Sequence, residues 1–315
     1  MERYQRVSVE WEQAVRVKSI KAATFKETGE VLGTSSTTVM RRFDRLAKSE
    51  IKPIERLPKV IAMDEYKGDT REGKFQLIIA DGETREPLEI LPNRSKKTVK
   101  RYLQKHGQDV EIVIMDMSPT FKAAVQQALD QPLIVADRFH FTRYVNWAVD
   151  KVRRREQQQF TEYDRKKCKR MRHVMHKAHE TLTEQESWYL NRYLNLSADL
   201  RNVYELKESY QRWFKNAKKI GSSNIRQVKV ELDSFYRQVE EIGIPEMKRT
   251  KKTFENWETE ILNSFVFNYS NGFLEGINNL TKVMKRNAFG YQRFDRFRAR
   301  ILLRHQYKKI GKHVG

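Results

Sequence analysis

Cys168 is the only cysteine in the sequence. A lone thiol excludes an intrachain disulfide and a cysteine-rich zinc site, and it suits a reducing cytoplasm. Long apolar runs are absent as well. None approaches the roughly 20 residues that span a bilayer, and none forms a secretory leader at the N-terminus. Acids are in deficit: 41 Asp and Glu stand against 62 Lys and Arg, a formal net charge of +21. With 39% hydrophobic and 11% aromatic residues, that excess belongs to a folded chain with a polyanionic partner rather than to a basic tail. Nucleic acid is the foremost candidate, and a membrane partner is not expected. Glycine and proline are few and unevenly placed, with neither between Leu133 and Ile220. So long a stretch, rich in Glu, Lys, Arg, Gln and Leu, predicts helix.

What is present sorts into four segments of a 315-residue chain. Residues 12–50 read as helices with a short break. In "FKETGEVLGTSSTTVMRRFDRLAK", Gly29 permits close approach, Gly33 takes a turn, Val39 packs inward, and Ser35 or Ser36 caps a second helix. This spacing fits a helix-turn-helix, with Arg41, Arg42 and Arg45 facing phosphates or bases; a plain helical hairpin is the alternative. Pro53 and Pro58 mark a linker. Beyond it "KVIAMDEY", "GKFQLIIAD", "EPLEIL", "VEIVIMD" and "PLIVAD" read as strands, with Asp81-Gly82 as a turn. Helices capped by Ser95 and Ser118 separate the later strands, and "RFHFTRYVNWAVDKVRR" is a further helix. The order β-β-β-α-β-α-β-α predicts a mixed α/β sheet. The expected segments are a helix-turn-helix at 1–52, an α/β core at 53–155, a helical insertion at 156–262 with breaks near Gly221 and Pro245, and C-terminal helices at 263–315 that complete the core.

Two aspartates draw attention within that frame. Asp64 follows the apolar run of the first strand and Asp116 ends the fourth. A fourth strand that crosses back after a three-strand meander commonly pairs beside the first, which brings the two carboxylates together. Paired carboxylates repel unless a proton or a cation lies between them. Mg²⁺ takes oxygen ligands from a few carboxylates and from substrate phosphates. A third acid allows two ions roughly 4 Å apart to clamp a phosphodiester. Glu275, in "SNGFLEGINN", is the candidate, with Gly272 and Gly276 allowing close backbone approach. Lys282, Lys285 and Arg286 follow it and would hold a DNA backbone. Each acid alone has an ordinary reading: strand-end aspartates often cap helices, and helical glutamates are usually solvated.

The set "MDEYKG", "IMDMSPTFKAA", "DRFH" and "SNGFLEGINNLTKVMKRNAFGYQRFDRFRARIL" resembles the ISL-three group of bacterial insertion-sequence transposases, over about residues 20–310. The resemblance implies a DDE enzyme with an RNase H-like core: a five-stranded mixed sheet with a large helical insertion. It implies Asp64, Asp116 and Glu275 as the metal-binding catalytic triad for two Mg²⁺ or Mn²⁺ ions. It adds Asp137 and His140 as orienting or DNA-contacting residues, against the alternative of a helix cap and an interior histidine. Members of the group usually begin with a Cys-rich segment, so the resemblance also implies a shortened N-terminus here.

Some features stand outside these motifs. His173, His176 and His179 recur every three residues, drift around a helix and read as a polar face rather than a metal site. The basic run from Lys151 to Lys177 offers contact to a DNA backbone or a solvated face. Trp188 and Trp213 read as core, and Phe289, Phe294 and Phe297 as docking the C-terminal segment on the sheet. The expected function is therefore a transposase that cleaves element ends and transfers strands, working on double-stranded DNA as a dimer or larger complex in the bacterial cytoplasm, with the nucleoid. The alternative is a degenerate transposase or a DNA-binding regulator that retains the fold.

Overall fold

The structure is a computed structural model that describes residues 7–310, and at 308–310 the backbone only. Residues 1–6 and 311–315, the ends of the first and last expected segments, lie outside it. The chain divides into two compact units: one holds the residues up to Leu133 together with those from Asn271 onward, and the other holds Ile134–Ser270.

The first unit begins with three helices, α1 (Val9–Lys21), α2 (Phe25–Val31) and α3 (Ser36–Glu50). Their ends are written in polar caps. Ser8 accepts from the Trp11 amide, Thr24 and Glu27 form a reciprocal capping box, and Ser35 accepts from Thr38. Between α2 and α3, Gly33 adopts φ +63°, a conformation that costs glycine little. A Cβ on Gly29 would come within 2.6 Å of the Thr34 carbonyl oxygen, so the helices meet only because it is glycine. Val39, Phe43 and Leu46 form the buried stripe of α3.

The sheet follows. Its strands are β1 (Val60–Thr70), β2 (Gly73–Asp81), β3 (Pro87–Leu91), β4 (Ile112–Met115) and β5 (Leu133–Ala136), in the order β3-β2-β1-β4-β5. The first three form an antiparallel meander, and β4 pairs parallel to β1. Helices α4 (Lys96–His106) and α5 (Pro119–Ala128) provide the crossovers. Ser95 and Ser118 cap them as the sequence predicts. Ile61 to Met63 and Leu77 to Ala80 are buried without alternation, which is the pattern of a sheet covered on both faces.

The second unit is helical: α6 (Arg138–Glu156), α7 (Glu162–Arg170), α8 (Arg172–His176), α9 (Glu184–Leu196), α10 (Ala198–Ile220), α11 (Ile225–Ile242), α12 (Pro245–Asn256) and α13 (Glu258–Val266). Gly221 and Pro245 mark breaks where the sequence predicts them. The Gly- and Pro-free run is also interrupted, and there hydroxyl caps set the boundaries: Thr161, Thr183 with Glu186, and Ser197. Phe141, Tyr210, Phe214, Phe254 and Phe265 pack as rings in its core, with centroids 5.7–6.1 Å apart. Trp213 is buried and donates to the Val228 carbonyl at 3.0 Å, whereas Trp188 is solvent-exposed rather than core.

The chain then returns to the first unit as α14 (Gly272–Asn287) and α15 (Phe294–Ile310). Phe294 and Phe297 dock as expected, Phe297 stacking on Tyr291 at 4.4 Å. Phe289 does not dock: it is 93% exposed at φ +56°, because α14 ends at Asn287 and the chain turns there. Ala299 and Leu303 of α15 pack with Ile20, Phe43 and Leu46 of the helix-turn-helix.

Candidate active site

Strand pairing brings the segments that lead into the two aspartates side by side. Val60, Ile61 and Ala62 stand opposite Ile112, Val113 and Ile114, and Asp64 and Asp116 each follow two residues after the last of these pairs. Side chains two apart on a strand share a face, so Asp64 lies on the side of Ala62, while Asp116 is the first residue past the end of β4. Adjacent strands lie about 4.8 Å apart. Both aspartates are half-buried. Asp64 differs from expectation in one respect: it lies inside β1 rather than at its end, because the pairing with β2 continues to Thr70. The cap reading of Asp116 does not hold either, since Ser118 supplies the side-chain cap of α5.

Helix α14 is pinned to the strand that carries Asp64. Asn271 donates to the Met63 carbonyl at 3.0 Å, and Asn278 donates to Asp64 Oδ2 at 2.7 Å. Asp64 Oδ1 accepts from the Glu65 amide at 2.8 Å. Both asparagines lie on the buried stripe of α14, with Leu274, Ile277, Thr281 and Met284. The amide oxygens of Asn271 and Asn278 and the Thr281 hydroxyl are buried without a hydrogen-bond partner among the described residues. Asn278 was missed from sequence. Its signal was an amide at the helical spacing of an apolar stripe, where a polar side chain needs a reason.

Glu275 lies between these two anchors, exposed in the first turn of α14, where the helix dipole favours an acid. A Cβ on Gly276 would meet nothing within 4 Å. Its expected role in close packing is therefore not used among the described residues. Among the described residues, no three His, Cys, Asp or Glu side chains are gathered closely enough to hold one ion.

The basic residues divide. Lys282 and Arg286 are exposed on α14, while Lys285 is engaged by Asp69 at 2.6 Å and by the Lys67 carbonyl. On α3, Arg41 and Arg45 are exposed, and Arg42 is held by Glu12 and lies over the Trp11 ring at 4.9 Å. Asp137 and His140 belong to the second unit. Asp137 occupies the N-cap position of α6 but makes no side-chain cap bond. Its carboxylate lies 3.7 Å from His140 Nε2, and His140 Nδ1 accepts from Arg143 at 3.0 Å. Burial, aided by the Arg143 charge, pushes the His140 pKa down to about 4, so the ring is neutral at pH 7. The three-residue histidine series gathers no metal-ligand group among the described residues.

A mixed RNase H-like sheet with β1 and β4 paired ahead of two aspartates, a late helix bonded to the first of them and a helix-turn-helix in front fit the DDE transposase class. The comparisons agree. The transposase model of the ISL3 family matches residues 61–301, and the model for the helix-turn-helix domain of that transposase family matches residues 1–47. The chain belongs to the ISL3 family of insertion-sequence transposases. It is 27% identical over 243 residues to the transposase for insertion sequence element IS1001 of Bordetella parapertussis, a match that covers 74% of this chain and 57% of that one. The chain thus spans little more than half the length of that relative. A 65-residue segment is 45% identical to a Lactococcus lactis subsp. lactis protein named an ATP-dependent protease, covering 20% of this chain and 21% of that one; a piece so short carries no argument about the remainder. Among the described residues, no helix is long and apolar enough to cross a membrane.

Proposed function

We propose that this chain cleaves DNA at the ends of an insertion sequence and joins the freed 3′ ends to target DNA, with Asp64, Asp116 and Glu275 as the catalytic acids. One observation carries the reading: the Asn271 and Asn278 bonds fix the segment of α14 bearing Glu275 against the strand bearing Asp64, beside Asp116. Hydrolysis makes a bond from water oxygen to phosphorus and breaks the bond to the 3′ oxygen. Strand transfer repeats the substitution with that 3′-hydroxyl as nucleophile.

The residues present fit a divalent cation. Asp64 and Asp116 are hard oxygen donors that follow paired strands, and the Asn278 amide oxygen is a buried acceptor next to Asp64 that has no partner among the described residues. Mg²⁺ usually takes only one or two carboxylates, with water and substrate phosphates completing its shell, so a closed three-acid cluster is not required. Two bound Mg²⁺ or Mn²⁺ ions would supply a water of lowered pKa and neutralise charge on the phosphate. The chain's own contribution is positional. Asn278 holds Asp64 in orientation, and exposed Glu275 faces the open side where DNA enters. Lys282 and Arg286 hold the backbone there, while Arg41 and Arg45 of α3 contact the element end. Asp137 and His140 act in a supporting role, with His140 neutral. Residues 156–262, within the second unit, serve as the helical insertion, and joining two ends calls for a dimer or a larger complex on DNA.

The test is a metal-dependent nicking assay on element-end duplex. Asp64→Asn and Glu275→Gln are expected to retain folding and DNA binding while losing cleavage by at least about a hundredfold. Cleavage by either variant at the wild-type rate refutes the assignment, and tight binding by a wild-type chain that never cuts favours a regulator.

A further inference from the structure

Helix α6 exposes side chains that the catalytic reading does not use. Phe139 and Trp147 are 56% and 41% exposed. Arg143 lies between them along the helix, its guanidinium 5.9 Å from the Phe139 ring and 4.7 Å from the Trp147 ring. At steps of four residues these three share one helical face, with the rings about 12 Å apart along the axis. One turn further, Lys151 continues the face, exposed and without an ion pair among the described residues.

Beyond Lys151, the C-terminal end of α6 borders a cleft of about 880 Å³ that is also lined by α7 and α8. Arg153, Arg154, Lys166, Lys169, Arg170 and Arg172 line it. Among the described residues, two acids pair with these six cations. Buried Asp150 binds Arg153 and Arg154 and lies 3.8 Å from Arg172, and exposed Glu162 pairs with Lys166. Burial works against the Asp150 carboxylate, but the Arg153 hydrogen bond and the surrounding arginines outweigh it and hold its pKa below the usual range. Asp150 thereby keeps the cluster in place without cancelling it. Lys169 and Arg170 are exposed with no ion pair among the described residues.

We infer that this face and cleft bind an unpaired DNA strand, with bases stacking on Phe139 and Trp147 and phosphates lying against Lys151, Lys169 and Arg170. The ligand must present both flat apolar rings and regularly spaced anions. A duplex presents only the second, because its base faces are covered by one another, whereas a single strand presents both. The arginine between the rings adds cation–π attraction to the bases. The inference rests on the reading of the chain as an enzyme that cleaves and joins DNA ends.

Fluorescence anisotropy tests it on the full chain, without divalent metal, using a labelled oligo(dT) strand and a duplex of equal length. Phe139→Ala/Trp147→Ala is expected to weaken strand binding at least about tenfold and duplex binding less than twofold, with Trp147→Phe restoring most of the loss. Lys169→Gln/Arg170→Gln should weaken strand binding and flatten its salt dependence. All four positions are exposed, so the unfolding curves should not move. Unchanged strand binding, or equal losses for strand and duplex, overturns the inference. So does an alanine variant that turns an oligomer into monomers without changing strand affinity, because the face then serves a second copy of the chain. Nicking by the same variants separates the two proposals: lost strand binding with retained cleavage supports both, while strand binding by a wild-type chain that cannot cleave removes only the catalytic reading.

Discussion

Replacing Asn278 by alanine tests the site at its most specific contact. The side chain is 5% exposed, and its amide reaches Asp64 Oδ2 at 2.7 Å. A hydrogen bond to a charged acceptor contributes about 1.5–3 kcal/mol, more than a neutral pair does. If Asn278 serves to hold the Asp64 carboxylate in its working orientation, losing that amount from the transition state slows cleavage by about 10- to 150-fold at 1.4 kcal/mol per factor of ten. The amide also fills core space between Leu274 and Thr281, so stability falls modestly as well, and Asn278→Leu restores packing without restoring the donor. The assay is single-turnover nicking of element-end duplex at saturating metal and protein, with duplex affinity measured in parallel. The expected result is a lower rate for both variants at unchanged affinity. Cleavage by Asn278→Leu within twofold of wild type would show that the contact is packing alone, and it would remove the main support for placing α14 at the reaction.

Two further outcomes follow from buried charges. Arg300 is 3% exposed and has no carboxylate partner among the described residues; it donates to the carbonyls of Ser19 and Ala23 at the end of α1 and to the Tyr291 hydroxyl, and it lies over Phe25. Arg300→Met orphans those carbonyls at about 1–3 kcal/mol each, so hydrogen exchange of α1–α3 amides should accelerate at least tenfold, and unchanged exchange would refute that role. His140 is held neutral in the folded chain, with its pKa depressed to about 4 from an unfolded value near 6.5. The unfolded chain therefore binds the extra proton first, so this contribution is complete above about pH 6.5 and is lost as pH falls toward 4. The His140 ring proton resonance, assigned by its absence in His140→Asn, should titrate below pH 5; a midpoint near 6.5 refutes the buried environment.

The caps and the patterning were local enough to read. Gly33 with Ser35, Ser95 with Thr98, and Ser118 with Pro119 each specify a boundary through a neighbour a few residues away. The hydroxyl caps at Thr161, Thr183 and Ser197 carry the same kind of signal, but a glycine- and proline-free composition hid them. Phe289 was assigned to the core by type, and Trp188 likewise, because apolarity says nothing about which side of a helix end faces water.

By itself the sequence determined the helix-turn-helix, the meander followed by crossovers, the helical second unit and the net charge, because helix periodicity, caps and strand runs act over a few residues. Only the tertiary structure decided which side chains meet. The approach of the segments that carry Asp64 and Asp116 comes from pairing strands separated by a crossover. The grip of Asn278 on Asp64 joins residues 214 apart in the chain. The selection of Lys285 and Arg42 for internal ion pairs, leaving Arg41, Arg45, Lys282 and Arg286 exposed, was decided there too. Such contacts arise from packing between elements, and no local pattern of residues encodes the distance across which they form.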